Sequence, residues 1–292
     1  MRQFSIISPE EPKMSTPISA FESIDWHQYR VDYIYNELKE LGKTGDTLSV
    51  EDLIPFDQFH PLSTTALDEA VKQLGILPST QVLDIGAGVG GPARYLAHQY
   101  GCSVTGVELH PQMCAAAIEL TQKTGLSEQV NFLQGDITTI DLNGQTFDHW
   151  ISIGVFLHIP DRSTLFSTCF RLLKPGGSGY IEDFFERQPL TADEKVQLTE
   201  TLACPYLPNR DQYLADLAAA GFVDLHFEDV THLWQPWEIQ RPVDFEQNKF
   251  RHLRVHGDQV VQSMRHRYQV WAELFQRGNI GGARIRCQRP NA

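Results

Sequence analysis

Val82-Leu-Asp-Ile-Gly-Ala-Gly-Val-Gly-Gly91 runs directly into Pro92-Ala-Arg-Tyr-Leu-Ala97. The apolar residues around Asp84 read as a buried parallel strand. Gly86, Gly88, Gly90 and Gly91 then let the backbone turn tightly and approach a ligand, because glycine carries no side chain to block either. Pro92 belongs in the first turn of a following helix, where its missing N–H costs little. A strand, a glycine turn and a helix N-terminus form a nucleotide-type pocket at the carboxyl edge of a parallel sheet.

The glycines do not name the ligand. Gly86, Gly88 and Gly91 satisfy G-x-G-x-x-G, which keeps a dinucleotide reading open. Glu108 ends the next apolar strand, Ser103-Val-Thr-Gly-Val-Glu. A carboxylate there suits ribose hydroxyls under either reading. Asp84 separates the two. An acid at the end of the first strand repels a pyrophosphate but suits an ammonium and a sulfonium, and S-adenosylmethionine carries both. The Tyr-x-x-x-Lys pair of short-chain dehydrogenases occurs only as Tyr35 and Lys39, upstream of the glycine turn.

Further along come Gly135-Asp136, after the strand Val130-Asn-Phe-Leu, and Leu172-Leu-Lys-Pro-Gly-Gly177 before another strand. Taken in order, these motifs resemble the class I S-adenosylmethionine-dependent methyltransferases over about residues 60–230. Val89-Gly-Gly-Pro-Ala-Arg94 is similar to the sterol, tocopherol, phosphoethanolamine and sarcosine methyltransferases, which act on small molecules. The resemblance implies an S-adenosylmethionine cofactor whose methionine part faces the backbone of Gly86, Ala87 and Gly88, with Asp84 holding its ammonium. It implies Glu108 on the ribose, Leu109 against the adenine, Asp136 with its neighbour Ile137 at the adenine amino group, and Gly154 at the same edge. Taken singly, Glu108 also reads as a solvated strand end, and Asp136 as a cap or turn residue.

Composition fits this class. The chain has 292 residues, 41% of them hydrophobic and 21% charged, as in a globular enzyme of one large or two small domains. A formal charge of −13 disfavours a nucleic-acid partner, whose phosphates need cations. No apolar run reaches the ~18 residues of a membrane span, and the first twenty residues lack the apolar core of a signal peptide. The default expectation is a cytoplasmic protein with a small-molecule acceptor, and a homodimer stays open. Five scattered cysteines without a C-x-x-C pair indicate neither a metal nor a disulfide framework.

Residues 1–20 read as a flexible tail, 21–62 as an N-terminal helical cap and 63–292 as the methyltransferase domain. The cap helix spans 22–41, and after a polar link a second helix runs from Ser63, a candidate N-cap, through Leu74. Strands Gln81–Ile85, Ser103–Glu108, Val130–Leu133, Phe147–Ile153 and Gly179–Phe184 alternate with helices near Pro92, Pro111 and Asp161. This is the pattern of a doubly wound α/β fold. Thr191-Ala-Asp-Glu194 is a capping box, and a helix from about Asp211 ends at Gly221. Phe222–Val230 and Ala283–Gln288 read as the last two strands, and the resemblance implies that they form an antiparallel pair completing a mostly parallel seven-stranded Rossmann-like sheet whose C-terminal strand is antiparallel. The last of these follows a flexible Gly278–Gly282 stretch. Val261, Met264, Tyr268, Trp271 and Phe275 mark a helical stripe in an inserted lid over about residues 232–277.

Methyl transfer is an in-line displacement, so alignment and exclusion of water carry most of the rate. A base is needed only where the acceptor must lose a proton. His158, just past the fourth strand, is the candidate. The phosphoethanolamine methyltransferases have a functional histidine in a similar Leu-His segment, but with an acid four residues earlier where this chain has Gly154. The plain alternative is a histidine capping the Asp161 helix. Glu182 and Asp183 are candidates to hold an ammonium acceptor, or else solvated strand-end acids. His60 is a candidate for the acceptor side, or a loop histidine. Tyr29 and Tyr33, with Trp26, Trp234 and Trp237, either cage a methylated ammonium by cation–π attraction or form plain core. Lys249, Arg251, His252, Arg254 and His256 form a basic stretch that steers an anionic acceptor or lies solvated.

The expected activity is methyl transfer from S-adenosylmethionine to a small acceptor, with an amine nitrogen as first choice. A sterol-like carbon or a small-molecule oxygen is the alternative. An NAD(P)-dependent oxidoreductase and a non-catalytic cofactor-binding module are the readings from other classes.

Overall fold

The computed structural model describes residues 26–291. The tail at 1–20, and the first residues of the cap helix, lie outside them. Strands β1 (Gln81–Ile85), β2 (Ser103–Glu108), β3 (Val130–Gln134), β4 (Phe147–Ile153), β5 (Leu173–Glu186), β6 (Val223–Asp229) and β7 (Ile280–Gln288) form one sheet. Its order is β3-β2-β1-β4-β5-β7-β6. The pairs among β1–β5 are parallel, whereas β7 runs antiparallel between β5 and β6. The strand order reverses beside β1, which is where open α/β sheets bind ligands.

Helices α1 (Trp26–Glu40), α2 (Val50–Asp57), α3 (Thr64–Leu74), α4 (Gly91–Tyr100) and α5 (Pro111–Lys123) lead into and alternate with the first strands. Helices α6 (Arg162–Leu172), α7 (Ala192–Val196) and α8 (Arg210–Ala219) follow, with a π-helical turn at Gln197–Thr201 after α7. Helices α9 (Thr231–Gln247), α10 (Lys249–His256) and α11 (Asp258–Arg277) lie between β6 and β7 in the chain. One core cluster, around Trp150, Phe166, Tyr213 and Ile285, fills the α6–α8 face of the sheet. A second, around Leu67, Leu96, Ala117 and Tyr180, fills the α3–α5 face. Among the described residues no helix is long and apolar enough to cross a membrane. All five cysteines are buried free thiols.

Three local expectations need correction. The link before α3 holds a helix, α2, opened by a capping box between Ser49 and Asp52. Ser63 does not cap α3: its φ is +48° and its side chain makes no capping bond. Gly281 and Gly282 are not a flexible run but sit inside β7, paired with Phe185 and Phe184. A Cβ on Gly282 would lie 2.3 Å from the Trp234 ring, so these glycines let α9 pack flat on the strand.

Candidate active site

At the carboxyl edge of β1 the chain turns through Gly86 and Gly88, at φ +75° and +58°. A Cβ on Gly86 would lie 2.5 Å from the Val155 side chain, so the turn needs glycine for space as well as for φ. Asp84 is buried and its Oδ2 has no hydrogen-bond partner. Burial, and secondarily the negative Glu108, push its carboxyl up to about 7. Glu108, at the end of the neighbouring strand, accepts from the Gly88 N–H at 2.8 Å and the His110 N–H at 2.9 Å. Two carboxylates held close in a buried edge, one with an orphaned oxygen, fit a cationic ligand and oppose a diphosphate. The other cofactor candidates are spread more loosely. Ala87 and Ile137 are buried, whereas Leu109 is exposed and Asp136 closes its own turn by accepting from Thr138.

A cavity of about 220 Å³ opens beside this edge. Gly154, Leu157 and His158 form one wall, and Val155 between them is the residue packed on Gly86. The turn and the cavity thus share a partition. Tyr29, Tyr33 and His60, all candidates from sequence, line the cavity. His158 caps no helix: Asp161 itself accepts from the Thr164 N–H, while the imidazole reaches the Ala203 carbonyl at 2.7 Å. A carbonyl only accepts, so Nδ1 carries the hydrogen and Nε2 keeps a lone pair. The ring's own surface faces the open cavity, yet protein walls surround it. Burial chiefly, with the charges of Arg30, Arg267 and His27, lowers its pKa to about 4. His60 is buried between Pro61 and Gln58, and desolvation likewise brings it to about 4.

Glu182, Asp183 and Trp234 do not line the cavity. Period-two alternation sends Glu182 and Asp183 to opposite faces of β5, and both are buried in protein contacts. Glu182 accepts from the Tyr180 hydroxyl and pairs with Arg284 at 2.9 Å. Asp183 accepts from the backbone N–H of Leu157 at 2.9 Å and of Phe184 at 2.8 Å. It therefore holds the turn that carries His158 rather than touching an acceptor. Trp234 is buried against Phe184 and β7. Among the tryptophans of the expected cage, Trp237 does line the cavity, but the Arg241 guanidinium lies over its ring at 4.6 Å and over Tyr268 at 4.2 Å.

Part of the basic stretch on α10 is tied to α1, although the Arg254 side chain stays 61% exposed. Arg251 chelates the buried Glu37 of α1, His256 adds a second bond to Glu37, and Arg254 grips Glu40. Sequence reasoning missed the arginines that face inward: Arg30, Arg241 and Arg267 all line the cavity. Their only trace was adjacency to aromatics, as Tyr29-Arg30 and Arg267-Tyr268.

Residues 83–181 match a family model described as a methyltransferase domain. A phosphoethanolamine N-methyltransferase of Triticum aestivum is 32% identical over 216 residues, which is 74% of this chain and 42% of that protein. A sterol 24-C-methyltransferase of Gibberella zeae is 31% identical over 60% of this chain and 49% of its own length. A sarcosine/dimethylglycine N-methyltransferase of Halorhodospira halochloris is 31% identical over 55% and 57%. The chain spans between 31% and 57% of the length of such curated relatives. The structure of a Haemonchus contortus phosphoethanolamine N-methyltransferase superposes with a TM-score of 0.77 at 23% identity, covering 94% of this chain and 61% of that one.

Fold, motif order and domain match place the chain in the class I S-adenosylmethionine-dependent methyltransferases, with S-adenosylmethionine as cofactor. Within that class its similarity runs to the group of sterol, phosphoethanolamine and sarcosine enzymes.

Proposed function

We propose that the protein transfers a methyl group from S-adenosylmethionine to a small molecule held in the cavity beneath α1, α9 and α11, which act as a lid. The observation that carries this reading is the shared wall: Val155 covers the glycine turn while Gly154, Leu157 and His158 face the cavity. Asp84 would hold the methionyl ammonium, the Gly86–Gly88 backbone the carboxylate end, and Glu108 the ribose. Leu109, Asp136 and Ile137 would bound the adenine.

When bound, the cofactor supplies an electrophilic methyl on a positive sulfur, and the acceptor's lone pair forms the new C–X bond as the C–S bond breaks with its electrons on sulfur. The residues of the chain align that acceptor and keep water away. His158 Nε2, unprotonated at neutral pH, takes the proton that an amine nitrogen releases. An amine is the first reading because phosphoethanolamine and sarcosine N-methyltransferases stand among the relatives. A carbon or oxygen acceptor is the second, favoured because Glu238 is the sole carboxylate among the described lining residues and it faces Arg241.

Calorimetric titration should show stoichiometric binding of S-adenosylmethionine and of S-adenosylhomocysteine, and label from the cofactor should appear in a small product. Replacing His158 with Ala is expected to lower kcat about 10²- to 10⁴-fold, the usual worth of a general base, with cofactor affinity within about twofold. An equal loss in both would assign His158 to structure.

A further inference from the structure

Where α1 meets α10, one ring away from the cavity, lies a group of polar side chains for which methyl transfer has no use. Glu37 of α1 is fully buried, and His256 of α10 reaches its Oε1 through Nε2 at 2.9 Å. His252, one helical turn before His256, brings its ring alongside, with the two centroids 6.0 Å apart. An i, i+4 spacing sets both imidazoles on one face of α10, the arrangement by which a helix offers two nitrogens to one ion. A nitrogen of each ring and a carboxylate oxygen of Glu37 lie within 4.8 Å of one another. Among the described residues no other three histidine, cysteine or acidic side chains are so gathered. Aromatic rings hold the imidazoles in place: Phe245 stacks on His252 at 4.5 Å and Tyr33, from the cavity wall, on His256 at 4.7 Å. Hydrogen bonding leaves the cluster unfinished. Nδ1 of both histidines is buried without a partner among the described residues, whereas buried polar atoms are ordinarily paired.

We propose that Glu37, His252 and His256 form a binding site for a divalent metal ion of the zinc type, which fastens α1 to α10. Two imidazoles and a carboxylate suit zinc, whereas calcium and magnesium call for oxygen ligands. Bonds of ~2.0–2.2 Å at tetrahedral angles place donor atoms about 3.3 Å apart. The Glu37–His256 contact is already near that spacing, and His252 has at most about 1.5 Å to close, within reach of side-chain rotation. A ring nitrogen coordinates through its lone pair, so His256 would carry its hydrogen on Nδ1 and bind through Nε2. The obstacle is Arg251, whose guanidinium occupies both oxygens of Glu37. Its side chain is 35% exposed, and the negative Glu40 acts on it as well, so it can turn outward as the ion enters. Arg251 and the ion are then rivals for one carboxylate. Three protein ligands leave the fourth position to water. The site touches neither the cofactor cleft nor the acceptor, so its work is to tighten the cover in proportion to the metal available.

Cobalt(II) reports such a site directly, since a four-coordinate ion absorbs visible light far more strongly than the hydrated one. The full chain, freed of metal with EDTA, should take up one equivalent of Co2+ with that absorption, and Zn2+ should displace it. His252→Ala and His256→Ala should each weaken binding at least about tenfold, some 1.4 kcal/mol. His226→Ala, at an exposed histidine of β6, should leave it unaltered. If His256→Ala fails to fold, His252→Ala carries the same test. Arg251→Ala is predicted to act with the opposite sign. Loss of the rival cation should tighten metal binding several-fold, although the metal-free variant melts at a lower temperature than the parent, and Zn2+ should recover that loss. Uptake without the visible band, uptake that survives both histidine changes, or no tightening in Arg251→Ala would overturn the proposal. Calorimetric binding of S-adenosylhomocysteine should persist in His252→Ala, so failure of the metal site leaves the methyltransferase reading standing.

Discussion

Asp84 and Asp183 are both buried aspartates near the ends of central strands, yet their surroundings give them different work. Asp183 is satisfied by two backbone N–H groups, so its role is to fix the Phe156–His158 turn. Asp84 is left with an unpartnered oxygen and Glu108 nearby. An acid whose carboxyl rises from 3.8 to about 7 on folding holds a proton that the unfolded chain has released between those values. The ligand-free protein therefore loses stability as pH climbs from about 4 to 7, by an amount on the order of 3–4 kcal/mol. Asp84→Asn should remove this slope: its stability advantage over the parent, from urea denaturation, should grow across that window and then level. A cationic cofactor needs the ionised form, so its affinity should fall about tenfold per unit below pH 7 in the parent, and stay flat and weak in Asp84→Asn. A variant advantage independent of pH would show that Asp84 is already ionised in the folded chain. At this scale the strand-end acids were legible because position along a strand fixes which edge they occupy. The inward turn of Arg30 and Arg267 was not, because it depends on which face of a helix meets a partner far away in the chain.

Elements were read best where period and punctuation agreed. β1, β2 and β4 have the expected boundaries, since a short apolar run flanked by glycine or proline admits little else. α2 escaped notice although Ser49-x-x-Asp52 is a capping signal, because eight residues with Pro55 inside look like a loop. The start of β7 was misread for the opposite reason. Gly281-Gly282 signals flexibility in isolation, but here glycine answers the close approach of α9. Gly282→Ala should accordingly force Trp234 off its seat and destabilise the fold by about 1–3 kcal/mol, as overpacking does. Thermal unfolding and tryptophan fluorescence would register both effects. An unchanged melting temperature would mean that α9 shifts aside freely.

Across the whole molecule, the sheet was legible and the way its cover is fastened was not, because fastening depends on charges 214 and 219 residues apart. α1 reaches over both halves of the site. Tyr29, Arg30 and Tyr33 face the cavity, and His27 stacks on His110 beside Glu108. It is clamped to α10 by Arg251 and His256 on the buried Glu37 and by Arg254 on Glu40. We predict that a ligand entering the Asp84–Glu108 cleft waits for this strap to open. The observed on-rate scales with the open fraction when opening is a fast, minor equilibrium. Glu37→Gln removes the shared carboxylate of two of the three bonds. A strap weakened by about 1–2 kcal/mol raises the open fraction roughly 5- to 30-fold. Stopped-flow binding of S-adenosylhomocysteine should therefore be faster in Glu37→Gln than in the parent by a factor in that range. Dissociation should speed up as well, and hydrogen exchange should rise in α1 and α10 while β1 and β4 stay protected. An unaltered on-rate, with faster exchange confined to α1, would show that ligand reaches the cleft by a route that leaves the strap closed.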